Sequence, residues 1–204
     1  MQSKVLTHDH RKIHKEIYNM KQGQVRIQRM PELKYVVQEM NTAYYMDWAG
    51  RPEPVDQQWI VWKIVNQLKH ITKTRLDYKF KLMPHEIIWH EKHDKRAITT
   101  QVMQVPECIT EEMFEEAKIN AVKHFKGQKM PATKLVTAES VLCAQKLHVG
   151  HYRNTERTLL EVVQYAESVG YTVKKNHREI YLTPAMKCHE PDTWRTVVSV
   201  ELDQ

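Results

Sequence analysis

Glycine is scarce in this chain, with five among 204 residues at positions 23, 50, 127, 150 and 170. No two lie close enough for a Gly-x-Gly-x-x-Gly turn or a phosphate-cradling loop, so dinucleotide-binding and P-loop chemistry fall away. A Gly-x-Ser-x-Gly nucleophile elbow is also absent. The three cysteines, Cys108, Cys143 and Cys188, are widely spaced and odd in number. They form neither a metal motif nor a disulfide framework, and read as reduced thiols of a cytoplasmic protein. No apolar run approaches the roughly 20 residues that span a bilayer, which argues against a membrane partner. The first residues, Met1-Gln2-Ser3-Lys4, lead into polar His and Lys rather than an apolar signal core.

A basic body is missing as well. The formal charge is +6, but residues 1–30 hold seven basic residues against Asp9 and Glu16, so the rest of the chain is nearly neutral. The excess belongs to an arm, read here as a solvated basic helix, and nucleic acid is disfavoured as a partner. Phe is rare at three, whereas Tyr and Trp number nine and five. Aromatic side chains with a polar handle suit a wet, aromatic-walled pocket for flat ligands. Tyr44, Tyr45 and Trp48 draw notice because they fall in a loop, 41–55, that has no core of its own to fill.

The periodicity predicts an α+β fold. Residues 7–20 read as an amphipathic helix with Ile13 and Ile17 one turn apart, and 25–40 as extended structure. The clearest helix runs from about Asp56 to Leu76, with Val61, Ile64, Val65, Leu68 and Ile71 at helical spacing. Alternation at 78–82 marks a strand, followed by His85–His90, a polar turn at 91–96 and a β-branched strand at 97–105. Thr110 caps a helix to about Phe125. The second half repeats the order: strand 139–150, helix 155–169, strand 171–182 and strand 193–202. We therefore expect a basic helical arm (1–24), then one domain (25–204) of two strand–helix–strand–strand units, about 25–106 and 133–204, joined by helix 110–126.

One local match supports the duplication: residues 85–89, His-Glu-Ile-Ile-Trp, align without gaps on 178–182, Arg-Glu-Ile-Tyr-Leu. Two such units can pair about a pseudo-two-fold axis, with Glu86 and Glu179 facing one another across a cleft. A carboxylate in a strand faces either solvent or a pocket, and in a pocket it can act as a base, an acid or a cation anchor. Alternation places His177, Glu179 and Tyr181 on one face, and Glu86, Ile88 and His90 on another, with Trp89 opposite Glu86 unless a bulge intervenes. Tyr181, His177, His90, Glu86, Trp89 and Tyr44 are the candidate ligand-binding residues.

Twelve histidines invite a metal reading. His85 and His90 are five residues apart, one too many for the zinc-protease spacing, and they lie in a strand pattern. His8, His10 and His14 offer at best a weak surface site, so no metal is expected.

The run Leu147-His148-Val149-Gly150-His151-Tyr152, then a helix, then Gly170, then His177-Arg178-Glu179-Ile180-Tyr181-Leu182, resembles the C-terminal signature of the GyrI-like small-molecule-binding family. Residues Tyr78–His90 resemble a second family stretch, Met30–Tyr35 its first strand, and Lys15–Asn19 the lead-in of its stand-alone members. Ile87 and His90 depart from the family pattern, and the acidic pair after the tyrosine is lost at Arg153 and Asn154. The resemblance implies a duplicated fold with a ligand cleft and a glutamate at its heart, placed here at Glu179, with Tyr152 in the family tyrosine's position. It implies a planar aromatic ligand, cationic or cyclopropanoid. Glu179 and Tyr152 would then be catalytic in hydrolytic ring opening that detoxifies the compound, with no cofactor because the substrate carries its own strain. Sequestration of a drug without turnover, or inhibition of a partner such as gyrase, are the other activities the resemblance implies.

Overall fold

The structure is a computed structural model that describes residues 6–43, 60–93, 96–123, 131–183 and 190–203. After a short strand β1 (Thr7–His8) come two one-turn helices, α1 (His10–Ile13) and α2 (Lys15–Tyr18), and then β2 (Arg26–Met30) and β3 (Leu33–Ala43). Helix α3 (Ile60–Arg75), the short β4 (Lys79–Phe80), β5 (His85–His93), β6 (Arg96–Val105) and α4 (Glu111–Val122) follow. The chain ends with β7 (Lys134–Ala138), β8 (Val141–Val149), α5 (Thr155–Ser168), β9 (Thr172–Tyr181) and β10 (Arg195–Asp203). Among the described residues, no helix is long and apolar enough to cross a membrane.

Eight strands form one antiparallel sheet in the order β2-β8-β10-β9-β5-β6-β3-β7. This α+β architecture agrees with the sequence. The extended stretch expected over 25–40 is two strands, because Pro31 cannot donate to a ladder and interrupts the run. Strand β2 pairs β8, whereas β3 pairs β6 and β7. In a flat sheet β2 and β3 would stand six spacings apart, about 29 Å. The three peptide steps from Met30 to Leu33 reach at most about 11 Å. The short link from β7 to β8 imposes the same closure, so the sheet curls back on itself.

Cross-strand partners share a face, so the register sorts the sheet into two sides. Val36 and Met103, paired on the outer side, pack under α3 with Ile64, Val65 and Leu68. Ala144 and Val200, also on the outer side, receive Val162 and Ala166 of α5. Thr110 accepts from the Met113 N–H at 3.3 Å and caps α4, which packs on α3 through Phe114 and Ala117. The inner side gathers Tyr35, Val102, Cys143, Leu147, Ile180 and Val197 into one cluster, closed by Ile17, Tyr18 and Met20 from the arm.

The arm therefore differs from the solvated helix that the composition suggested. Asp9 caps α1 by accepting from the Arg11 N–H, and His14, at φ −103° and ψ 56°, separates the two turns. Ile13 is exposed while Ile17 is fully buried, so the two do not act as one stripe. Asp9 of the arm is held by Arg11 and by Lys81 at 3.0 and 3.1 Å. The three arm histidines do not converge. His8 stacks on Tyr78, His10 bonds the Tyr78 hydroxyl at 3.0 Å and His14 lies 3.8 Å from Glu16.

Candidate functional site

Strands β5 and β9 run side by side at the middle of the sheet. Their register sets Glu86 opposite Ile180 and Ile87 opposite Glu179. A gapless equivalence of Glu86 with Glu179 is incompatible with this pleat, because successive side chains alternate between faces. The two carboxylates lie on opposite sides of the sheet and do not share a cleft. Glu179 faces outward between α3 and α5, and Glu86 faces inward under the arm.

The outward site is built from β9, β5 and the turn before α5. The Tyr181 hydroxyl donates to Glu179 Oε2 at 2.6 Å, and His177 Nε2 lies 3.7 Å from Oε1. The Thr155 hydroxyl, at the first position of α5, has one proton for two acceptors: the Glu179 carboxylate and the Tyr152 carbonyl. Burial pushes the Glu179 carboxyl up, but hydrogen bonds from His177, Tyr181 and Thr155 outweigh it, and the net shift is downward. Glu179 is thus an ionised carboxylate only 4% exposed. Burial and the charge of Glu179 hold the Tyr181 phenol far above its ordinary range, so it remains a donor. Burial depresses His85 to about 4, leaving a neutral ring that stacks near Tyr181 at 6.2 Å.

Aromatic faces surround this charge. Trp89 is on the Glu179 side, opposite His177, and stacks on it at 6.1 Å and 7°. Gly150 ends β8 at φ +130°, a conformation that a side chain adopts only with strain. Its N–H donates to the Trp194 carbonyl at 2.8 Å. That junction presents Tyr152 stacked on Trp194 at 5.3 Å and 7°, with its edge toward Tyr181 at 6.3 Å. His151 completes the group against both rings.

Of the residues nominated from sequence, the structure brings Glu179, Tyr181, His177, Trp89 and Tyr152 together. Glu86 is not with them. It is fully buried, accepts from Arg178 Nη1 at 3.2 Å and from the Tyr18 hydroxyl at 3.1 Å, and belongs to the inner core. Burial raises its pKa and the Arg178 charge opposes that rise. His90 sits where the β5–β6 register shifts and bonds Thr100 Oγ1 at 2.7 Å, away from Glu179. Tyr44 lies outside the described residues, as do Tyr45 and Trp48. Sequence reasoning missed Trp194, Thr155 and His85. Trp194 precedes a strand rather than alternating within one, so only its pairing with Gly150 exposes its role. Thr155 carried a signal as the first residue of a helix, next to Tyr152. Among the described residues, no three His, Cys, Asp or Glu side chains are placed to hold a metal.

No protein-family model and no curated protein matches the chain. Solved structures do. An uncharacterized conserved protein from Listeria innocua is 26% identical with a TM-score of 0.80, over 96% of this chain and 99% of that one. A protein described as a hydrolase, also from Listeria innocua, is 24% identical with a TM-score of 0.80, over 97% of this chain and 100% of that one. The C-terminal domain of EcmrR is 11% identical with a TM-score of 0.56, over 89% and 98%. The chain shares its α+β fold with these proteins along nearly its whole length.

Proposed function

We propose that the Glu179 cleft takes a planar, electrophilic aromatic small molecule and opens it by hydrolysis. The observation that supports this reading is a buried carboxylate that accepts from the Tyr181 hydroxyl, with His177 3.7 Å away, among the faces of Trp89, Tyr152 and Trp194. Each carboxylate oxygen has two lone-pair directions, so Glu179 can accept from a water in addition to Tyr181. In a strained cyclopropanoid, the water oxygen bonds to a ring carbon as Glu179 takes its proton. The ring carbon–carbon bond breaks and its electron pair moves into the conjugated carbonyl. The Tyr152 hydroxyl donates to the developing oxyanion, and the proton on Glu179 then passes to it, so one water is added overall. Ring strain supplies the driving force, which lets a carboxylate of lowered basicity suffice. The likeness to a protein described as a hydrolase from Listeria innocua, at 24% identity, is a likeness of fold.

A second reading draws on the same lowered pKa. A carboxylate with a lowered pKa among aromatic faces also suits a cationic aromatic compound held without turnover. Mass spectrometry of a cyclopropanoid incubated with the protein separates the two. A water adduct in molar excess over protein supports hydrolysis, and bound but unchanged compound supports sequestration.

A further inference from the structure

The inner side of the curled sheet holds a second cavity, of about 180 Å³, on the far side of the sheet from Glu179. The β2–β3 and β7–β8 links both border it, through Pro31 and Glu139. Its apolar wall includes Met30, Pro31, Ile88 and Val141, and Arg178 lines it from β9. Arg178 Nη1 donates to Glu86 at 3.2 Å and to the Tyr35 hydroxyl at 3.2 Å. The guanidinium also lies 5.3 Å from the centroid of the Tyr35 ring. No hydrogen bond among the described residues reaches Nε or Nη2 of Arg178. A guanidinium carries five N–H donors in a fixed fork, and Nη1 is the nitrogen that Glu86 and Tyr35 engage. Arg178 is 18% exposed and lines the cavity, so its remaining N–H groups are open to an acceptor there.

The charge balance restricts what the acceptor is. Glu86 already neutralises Arg178, and Glu139 and Glu201 also line the space. An anion would meet the Glu139 carboxylate there, with Glu201 already paired to Lys174 at 3.3 Å, and would gain no free positive charge from Arg178. We propose that this cavity is a ligand site for an uncharged, carbonyl-bearing, single-ring compound. Its carbonyl accepts from the free N–H groups of Arg178, and its ring lies on Met30, Pro31, Ile88 and Val141. The size agrees, since an apolar cavity of about 150 Å³ accommodates benzene.

The test uses benzamide, benzoate and toluene as probes on the full chain, followed by ¹⁵N-resolved NMR. That includes the Arg178 Nε–H signal, assigned by its loss in Arg178→Lys. Benzamide should shift the Arg178 Nε–H and the Val141 and Cys143 amides saturably in the millimolar range, with benzoate and toluene each at least tenfold weaker. Ala138→Phe, which fills the rim and leaves the Glu86–Arg178 pair in place, should abolish those shifts without moving the melting temperature by more than a few degrees. Equal binding of toluene removes the guanidinium as the recognition element, and tighter benzoate binding removes the charge argument. Shifts clustered at Glu179 and Tyr152 relocate the probe to the outer site. The absence of saturable shifts means that water alone serves Arg178. Any of these results overturns the proposal.

Discussion

Glu86 and Glu179 stand one register step apart in two neighbouring central strands, yet they do opposite things. Each is almost fully buried and each accepts from a tyrosine. Glu86 is matched by a guanidinium and sealed by Tyr18 of the arm, so its charge is consumed by the core. Glu179 has donors but, among the described residues, no Lys or Arg paired with it, so it keeps a charge with which to act on a ligand. The pKa directions also differ. Burial wins at Glu86 and raises it, whereas hydrogen bonding wins at Glu179 and lowers it. What a buried carboxylate can do is decided by the balance between the desolvation it suffers and the partners that offset it.

That contrast can be broken most directly at Glu179. Glu179→Gln keeps shape and one acceptor but loses the charge. Turnover of a cyclopropanoid should fall by roughly two to four decades, the scale of losing a general base, while a neutral planar ligand binds nearly as before. Kinetics and calorimetry on the same variant check both halves. A loss confined to cationic ligands would favour the anchoring reading, and no change in either would remove Glu179 from the site.

On the inner side the expected loss is in stability. Arg178→Met strands a buried carboxylate and should cost about 3–5 kcal/mol in urea unfolding, most of it recovered when Glu86→Leu is added. A single variant as stable as the parent would show that the pair is not the inner counterpart drawn here.

Tyr18→Phe removes a donor to Glu86 and a bond to Gln104, at 3.1 and 3.0 Å. It should cost about 1–3 kcal/mol, with no effect on ligand affinity at Glu179. Removing residues 1–20 should lower the melting temperature further and likewise spare that affinity. Affinity lost at unchanged stability would tie the arm to the outer site.

The smallest effect sharpens the contrast through pH. The folded-state pKa of Glu179 lies below its ordinary value of 4.5, so its stabilisation is complete above that value and is lost as pH falls through the folded pKa. Glu86 has a raised pKa, so its contribution has the opposite sign, and stability falls as pH rises from 4.5 through the folded pKa. Acid titrations of stability for Glu179→Gln and Glu86→Gln should therefore diverge from the parent in opposite directions. Parallel curves would contradict the assignment of the two carboxylates.

Much of this was legible in the sequence because it is local. The helix over Ile60–Arg75, the cap at Thr110 and the alternation that groups His177, Glu179 and Tyr181 all follow from spacing along one element. Alternation also set Trp89 and Glu86 on different faces. The rest depends on residues far apart in the chain. The five-residue match suggested a symmetric pair of glutamates, but only the β5–β9 register decides that an odd offset sends them to opposite sides. The arm's composition described its charge and not its docking, because Tyr18 finds Glu86 and Gln104 only after the sheet has curled. Pro31 marks an interruption, while the closure it permits depends on pairings with β8 at one end and with β6 and β7 at the other. Local periodicity determined which side chains share a strand face. The tertiary register, fixed by strand pairing across the whole chain, decided which of those faces is core and which is site.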